Sequence, residues 1–336
     1  MVDITKKRIM LIGGAGFIGH NLAIALKKEG ADVHIVDSLH VNNLLSLASH
    51  GIGNRKFYWH IVNRRIELLH EYDIQINIED ARNYDVISPL IAFINPDVII
   101  HLAAVAHANI SNKDPHTTFD HSLRTLENTL DTARVLKSHF IYLSSSMVYG
   151  KFTSCSVTEE TVCKPLGIYG SLKYCGELIV KAYNQVFDLN YTIVRPSAIY
   201  GERCISRRVG QIFIENAIQE KDISIKGDGS DSLDFTYIDD LVSGVIKVIE
   251  NENSINQTFN LTYGESRTIG ELSTITKQFF PKIKVSYIEK DKFTPSQGTL
   301  NIDKAKKLIG YNPSNPIDVG FPKYIEWYKR TWKNIK

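Results

Sequence analysis

Tyr169 and Lys173 stand four residues apart at the start of a stretch, residues 169–187, whose apolar positions keep helical spacing. Positions i and i+4 share one face of a helix, so the phenol and the ammonium project into the same space. An ammonium beside a phenol favours the phenolate and lowers its pKa from about 10. Tyr169 is thereby a candidate general base near neutral pH. A second constellation lies near the N-terminus. Gly13, Gly16 and Gly19 follow the apolar run Arg8–Ile12 at intervals of three and open a helical pattern through Phe17 and Ile18. Glycines in such a turn let backbone N–H groups approach a pyrophosphate at a helix N-terminus, where the dipole favours anions. Asp37 ends the next apolar run about 20 residues on, where an acid hydrogen-bonds an adenosine ribose and repels a 2′-phosphate. The expected dinucleotide is NAD rather than NADP.

These residues need elements to hold them. Short apolar runs at 8–12, 33–36, 74–78, 98–102, 140–143 and 191–194 alternate with helical patterns, notably 117–136 and 169–187. Near-continuous apolar strands separated by helices imply a parallel sheet covered on both faces. After Pro196 the rhythm changes: a helical run at 209–219, a short strand at 223–226, then a helix at 240–249 and a strand at 258–261 that return to the sheet. Helical patterns at 269–279, 303–308 and 321–332 complete the chain. The expected fold is α/β: a Rossmann-type doubly wound parallel sheet with a smaller, discontinuous C-terminal α/β substrate domain. Residues 1–195 plus 236–265 would form the NAD-binding domain, and 196–235 plus 266–336 the substrate domain.

Composition narrows the class. In 336 residues, 43% are apolar, enough for a sizeable core, and the formal net charge is only +2, against the basic excess of a nucleic-acid binder. Cys155, Cys163, Cys175 and Cys204 have neither zinc-site nor redox-pair spacing, and no metal site is expected. The N-terminal apolar stretch Ile9 to Ile12 is too short for a signal peptide or a membrane span. A cytoplasmic protein without membrane or nucleic-acid partners is the expectation.

The turn Gly13-Gly14-Ala15-Gly16-Phe17-Ile18-Gly19 resembles that of the extended short-chain dehydrogenase/reductases, in the NAD-dependent epimerase/dehydratase branch acting on nucleotide sugars. His101-Leu102-Ala103-Ala104, Ser144-Ser145-Ser146-Met147-Val148-Tyr149-Gly150, Tyr169-Gly170-Ser171-Leu172-Lys173, Arg195-Pro196-Ser197-Ala198-Ile199-Tyr200-Gly201 and the segment from Gly227-Asp228-Gly229 to Asp240 follow in the family's order. The resemblance implies an enzyme in which Tyr169 takes a sugar hydroxyl proton while hydride leaves the same carbon. Ser145 would bond the reacting oxygen, and Lys173 would also hold the nicotinamide ribose. It implies further cofactor contacts from Asp80, at the adenine amino group, and from Ala81, Leu102, Ala103, Ala104 and Pro196. Ser146, His107 and Asn109 would border the sugar.

Within the family, 4,6-dehydratases resemble one another in carrying an Asp-Glu pair directly after the catalytic Ser/Thr. Here those positions are Ser146 and Met147, and a thioether carries no proton. Decarboxylases tend to place Glu, and 3,5-epimerases Cys, where Met147 stands. Oxidation and reduction at one carbon remain. The expected activity is an NAD-dependent nucleotide-sugar 4-epimerase working through a transient 4-keto intermediate, with return of hydride to its other face. The alternatives are a 4-ketosugar reductase or dehydrogenase of the same fold, or an NAD-sensing regulator. Relatives usually carry Asn at the Ala198 position and often Arg at Leu233; Arg207 and Arg208 are candidates to supply the missing charge to the diphosphate. His101, at a strand end, reads as structural. The pairs Arg55-Lys56 and Arg64-Arg65 read as an exposed face. A homodimer built on helices 117–136 and 169–187, serving polysaccharide biosynthesis, completes the expectation.

Overall fold

Ile9 and Leu11 face one side of a sheet and Met10 and Ile12 the other, all of them fully buried. Side chains alternate along a strand, so a run that is apolar at every position needs cover on both faces. The computed structural model, which describes residues 2–41, 43–49, 54–105, 108–289 and 297–335, provides that cover. Among the described residues seven parallel strands form the central sheet. Their order is Gln257–Asn260, Tyr191–Arg195, His139–Leu143, Val98–His101, Arg8–Ile12, Asp32–Val36, Gln75–Asn77. Helices Phe17–Lys28, Arg55–Glu71 and Ile238–Glu250 pack on the Ile9/Leu11 face. Helices Tyr84–Ile94, Thr125–Leu136 and Gly167–Phe187 pack on the other.

Strand order reverses beside Arg8–Ile12. The chain first builds outward to Gln75–Asn77, then returns to Val98–His101 on the opposite flank. In an open α/β sheet the crevice beyond the carboxyl ends of the strands at such a switch point is where ligands bind. Gly13 and Leu102 stand there, one residue past each strand. The chain beyond Arg195 adds a parallel pair, Ile223–Lys226 with Val285–Ile288, and an antiparallel pair, Ser232–Leu233 with Arg267–Thr268. Helix Val209–Ile218 and helix Ile269–Phe279 pack beside them.

The strands anticipated from the sequence are present to within two residues. One helix differs in kind. The pattern at 117–136 is broken into Pro115–Phe119, a single π turn at Asp120–Arg124, and Thr125–Leu136. A π turn carries one extra residue per turn and shifts the following face, which apolar periodicity does not register. The shift matters because His121 and Thr125 both face the crevice.

Candidate active site

The crevice is a cleft of about 540 Å3, within the range of small-molecule sites. It is lined by Gly13, Gly16, Phe17, Ile18, Gly19, Asp37, Asp80, Ala81, Leu102, Ala103, Ala104, Ser145, Ser146, Tyr169, Lys173, Pro196, Arg207 and Arg208. Residues spaced across nearly two hundred positions of sequence thus converge on one surface. Of the remaining candidates, His107 lies outside the described residues, and Asn109 is placed only as backbone in helix Ala108–Lys113.

At one end of the cleft the chain turns from strand to helix through Gly13, at φ +81°. A Cβ there would stand 2.8 Å from the backbone nitrogen of Ala103, so only glycine lets the turn lie against the Leu102–Ala103 backbone. A Cβ on Gly16 would meet little besides the Gly13 carbonyl and would occupy the space in front of the helix N-terminus. The first N–H groups of a helix have no intrahelical acceptor and carry partial positive charge, so this bare turn is a cradle for a phosphate. Asp37 is fixed beside it: Oδ2 accepts from Ala15 N at 2.9 Å and Oδ1 from Leu39 N at 2.8 Å. Burial pushes its carboxyl up from the usual value, against these two N–H bonds. Asp80 is gripped by Arg82 at 2.6 Å; burial would raise its carboxyl, but the guanidinium outweighs burial and holds it low. The glycine turn, Asp37 and Asp80 line the same cleft, and these residues fit an adenine dinucleotide.

Tyr169 and Lys173, both buried, come from the first two turns of helix Gly167–Phe187. Lys173 Nζ donates to the Leu143 carbonyl at 2.5 Å and lies over the Tyr142 ring. Burial pulls its ammonium down to about 8, while the Glu177 carboxylate one turn on pulls the other way. Glu177 is fully buried: Oε1 accepts from Ser144 Oγ at 2.5 Å and from Arg195 Nε at 2.9 Å, and Oε2 from Arg195 Nη2 at 2.6 Å. This network ties three neighbouring elements together directly behind Ser145. Ser145 caps the short turn Ser146–Tyr149, its Oγ accepting from Met147 N at 3.2 Å. Ser146 N donates to the Pro196 carbonyl at 2.8 Å. Met147 lines the cleft, and its sulfur accepts from Gln297 Nε2 at 3.5 Å. His101 is fully buried and burial pulls its imidazole down to about 3, so it is a neutral structural group.

The substrate end departs from the expected pattern in geometry as well as in residue type. Ala198 adopts φ +38°, and Arg203 and Arg207 lie at +65° and +49°. Left-handed backbone disfavours alanine and is tolerated by asparagine, the residue the family resemblance leads one to expect there. Arg207 and Arg208 sit at the exposed mouth of the cleft. Leu233 reaches the same wall from strand Ser232–Leu233.

Several lining residues escaped the sequence reading, among them His121, Thr125, Gln297 and Arg65. His121 and Thr125 reach the cleft through the π turn, and Gln297 from a distant segment; none has a local signal. Arg65 had one. The expectation that Arg64-Arg65 is an exposed pair fails for Arg65, which is 1% exposed. Neighbours on a helix diverge by about 100°. Arg64 turns outward to Glu67 and Glu71, while Arg65 falls four residues from both Ile61 and Leu69, on the buried stripe of helix Arg55–Glu71.

Comparison with known proteins agrees with this geometry. An uncharacterized UDP-glucose epimerase of Bacillus subtilis (strain 168), YtcB, is 29% identical over 323 residues, covering 95% of this chain and 97% of that protein. UDP-glucuronic acid decarboxylase 1 of Danio rerio is 27% identical over 333 residues, 97% of this chain and 73% of its own. The crystal structure of UDP-glucuronic acid 4-epimerase from Bacillus cereus, in complex with UDP-glucuronic acid and NAD, superposes with a TM-score of 0.85 at 26% identity, covering 96% of this chain and 99% of that one. The sequence model of the NAD dependent epimerase/dehydratase family matches residues 9–262, three quarters of the chain and every strand of the central sheet, and the protein belongs to that family.

Proposed function

We propose that the protein is an NAD-dependent 4-epimerase of a nucleotide sugar, with a uridine diphosphate sugar as the substrate class. The observation that carries this reading is the pairing of Tyr169 and Lys173 with Ser146 and Met147 in one cleft. NAD, when bound, supplies reversible hydride acceptance at its nicotinamide. The chain's own residues handle the proton and the orientation. Tyr169 takes the proton of the C4 hydroxyl and later returns it, with Lys173 one turn further along the same face of helix Gly167–Phe187. Ser145 Oγ holds the C4 oxygen. Neither Ser146 nor Met147 can remove a C5 proton or protonate a leaving C6 hydroxyl near neutral pH, which disfavours elimination of water. Arg207 and Arg208 take up the diphosphate charge in place of the arginine that Leu233 lacks. The UDP-sugar names carried by relatives at 25–29% identity support the nucleotide.

We infer also a homodimer. Val135 on helix Thr125–Leu136 and Leu178, Val186 and Phe187 on helix Gly167–Phe187 are exposed apolar side chains that a second copy would cover. Sedimentation velocity showing a monomer at micromolar concentration would sink this.

The deciding experiment incubates the protein with a panel of UDP-, GDP-, CDP- and dTDP-sugars, with and without added NAD. A new chromatographic peak of unchanged mass supports epimerisation. Loss of about 18 Da, one water, overturns it, and a shift of about two mass units indicates a net oxidoreductase. Tyr169→Phe keeps the ring and removes the proton acceptor. Turnover should fall on the order of 10²–10⁴-fold while NAD still binds.

A further inference from the structure

Arg65 is buried within the cofactor half of the cleft, yet one of its three nitrogens has no hydrogen-bond partner among the described residues. Its Nε and Nη2 both donate to the Arg203 carbonyl, at 3.0 and 2.5 Å. Its Nη1 has no partner among the described residues. Buried donors on charged groups are costly to leave unpaired, and guanidinium groups in particular seek paired acceptors. Burial pushes the Arg65 pKa down only to about 10, so the group stays cationic at neutral pH.

The guanidinium is fixed relative to the glycine turn through a short relay. Arg203, whose carbonyl holds Arg65, lies along the first turns of helix Phe17–Lys28: its Nε donates to His20 Nε2 at 3.0 Å and its Nη2 to Asn21 Oδ1 at 3.0 Å. His20 Nε2 is therefore an acceptor, so its proton sits on Nδ1, which donates to the Gly16 carbonyl at 2.9 Å. Gly16 is the residue that opens the helix. Arg65 lines the same cleft as Gly16, Phe17 and Asp37. The Asp37 charge acts on it favourably, but both Asp37 oxygens are already bonded to backbone N–H groups, and no hydrogen bond joins the two side chains.

We propose that Arg65 is a cofactor-binding residue whose Nη1 donates to a pyrophosphate oxygen of the dinucleotide laid across the N-terminus of helix Phe17–Lys28. The proposal rests on the dinucleotide reading of this cleft. A pyrophosphate beside the Asp37 carboxylate brings two anions together in a half-buried place. The Arg65 guanidinium, fixed on the same cleft lining and attracted by the Asp37 charge, offsets both, which the helix N-terminus alone does not. A 2′-phosphate is the poorer fit, because it would stand directly against Asp37.

The test strips the cofactor and titrates wild type, Arg65→Lys and Arg65→Gln calorimetrically with NAD, NADP, ADP-ribose and, at millimolar concentration, adenosine. Arg65→Gln should weaken NAD and ADP-ribose together by about 10- to 100-fold and leave adenosine within about twofold. Arg65→Lys, which keeps the charge but loses the fork, should fall between. Should Arg65→Gln fail to fold, the ratio of ADP-ribose to adenosine affinity in Arg65→Lys decides. Equal loss for ADP-ribose and adenosine would mean that Arg65 only props the Arg203 loop, and overturns the proposal. A loss confined to NADP overturns it in favour of 2′-phosphate recognition. Wild type that binds neither NAD nor ADP-ribose refutes the dinucleotide reading itself, an outcome distinct from these.

Discussion

Removing the charge of Glu177 while keeping its shape should both destabilise the fold and move the pH at which the site works. Glu177 is fully buried and Arg195 is 3% exposed, so Glu177→Gln leaves a guanidinium in the interior without its counter-ion. Breaking a buried pair from one side costs about 3–5 kcal/mol. Arg195 keeps other partners: Nη1 donates to Tyr149 Oη at 2.9 Å and to the Glu159 carbonyl at 3.2 Å, and the group lies over the Tyr149 ring. These place the loss at the lower end, about 3 kcal/mol, a large part of the 5–15 kcal/mol typical of a domain. Urea unfolding at pH 7.5 reads it as a lowered midpoint at unchanged slope.

The same substitution reaches the chemistry through Lys173. Burial lowers that ammonium to about 8 and Glu177 opposes the fall. Without the carboxylate, Lys173 deprotonates at lower pH, and the cleft loses its buried cation on the helix face that carries Tyr169. The alkaline limb of the turnover profile should therefore move to lower pH. A loss under about 1 kcal/mol would show that water or a backbone shift reaches Arg195, against the burial. A destabilised variant with an unmoved alkaline limb would refute the link from Glu177 through Lys173. The double variant Glu177→Leu with Arg195→Met should be less damaging than Glu177→Gln alone, since a buried pair replaced on both sides leaves no stranded charge.

Asp37→Asn should narrow the preference for NAD over NADP, measured by titration of both; equal affinity of the unmodified protein for the two would overturn the role of Asp37. Acid should destabilise the fold below about pH 6.5. Burial pulls His20 well below its usual range, His139 to about 4 and His101 to about 3, so the unfolded chain binds protons that the native chain excludes, and stability falls as the pH falls through this window. Asp234, raised by burial to about 6, opposes by one proton. Asp37, Glu159 and Asp239, also raised by burial, oppose in the same sense, while the lowered carboxyls of Asp80 and Asp131 add to the loss at still lower pH; stability that rises as the pH falls from about 6.5 would contradict the buried neutral histidines. Ala198→Asn should add about 1 kcal/mol of stability by relieving the left-handed backbone, read as a raised unfolding midpoint, and a lowered midpoint would mean the loop is held by contacts that asparagine disrupts.

The cofactor half of the cleft is legible in the sequence because its chemistry is written at fixed short spacings within single elements. A phosphate cradle needs glycines within one strand–helix turn, and a phenol activated by an ammonium needs residues four apart on one helix. Gly13, Gly16, Gly19, Tyr169 and Lys173 satisfy these rules wherever the elements end up. Arg65 was legible too, since the stripe of Ile61 and Leu69 passes through it, and only its charge argued for the surface. The substrate half obeys no such rule. Met147 meets Gln297 across 150 positions, and Leu233 and Arg207 reach the same wall from a short strand and a loop. No spacing encodes those meetings; they exist because the sheet brings the carboxyl ends of its strands to one edge and the C-terminal elements close over it. The π turn at Asp120–Arg124 is the intermediate case, where polar His121 and Thr125 face inward although the local apolar pattern is that of an ordinary helix. The division is physical. The dinucleotide reading rests on local geometry inside single strand–helix units. The far wall of the cleft is built by side chains from separate segments, among them Ala198, Leu233, Arg207 and Arg208, which no local spacing ties together. Specificity in this protein is therefore to be sought by exchanging residues 198, 207, 208, 233 and 297 together, with the Tyr169 and Lys173 pair left as it is.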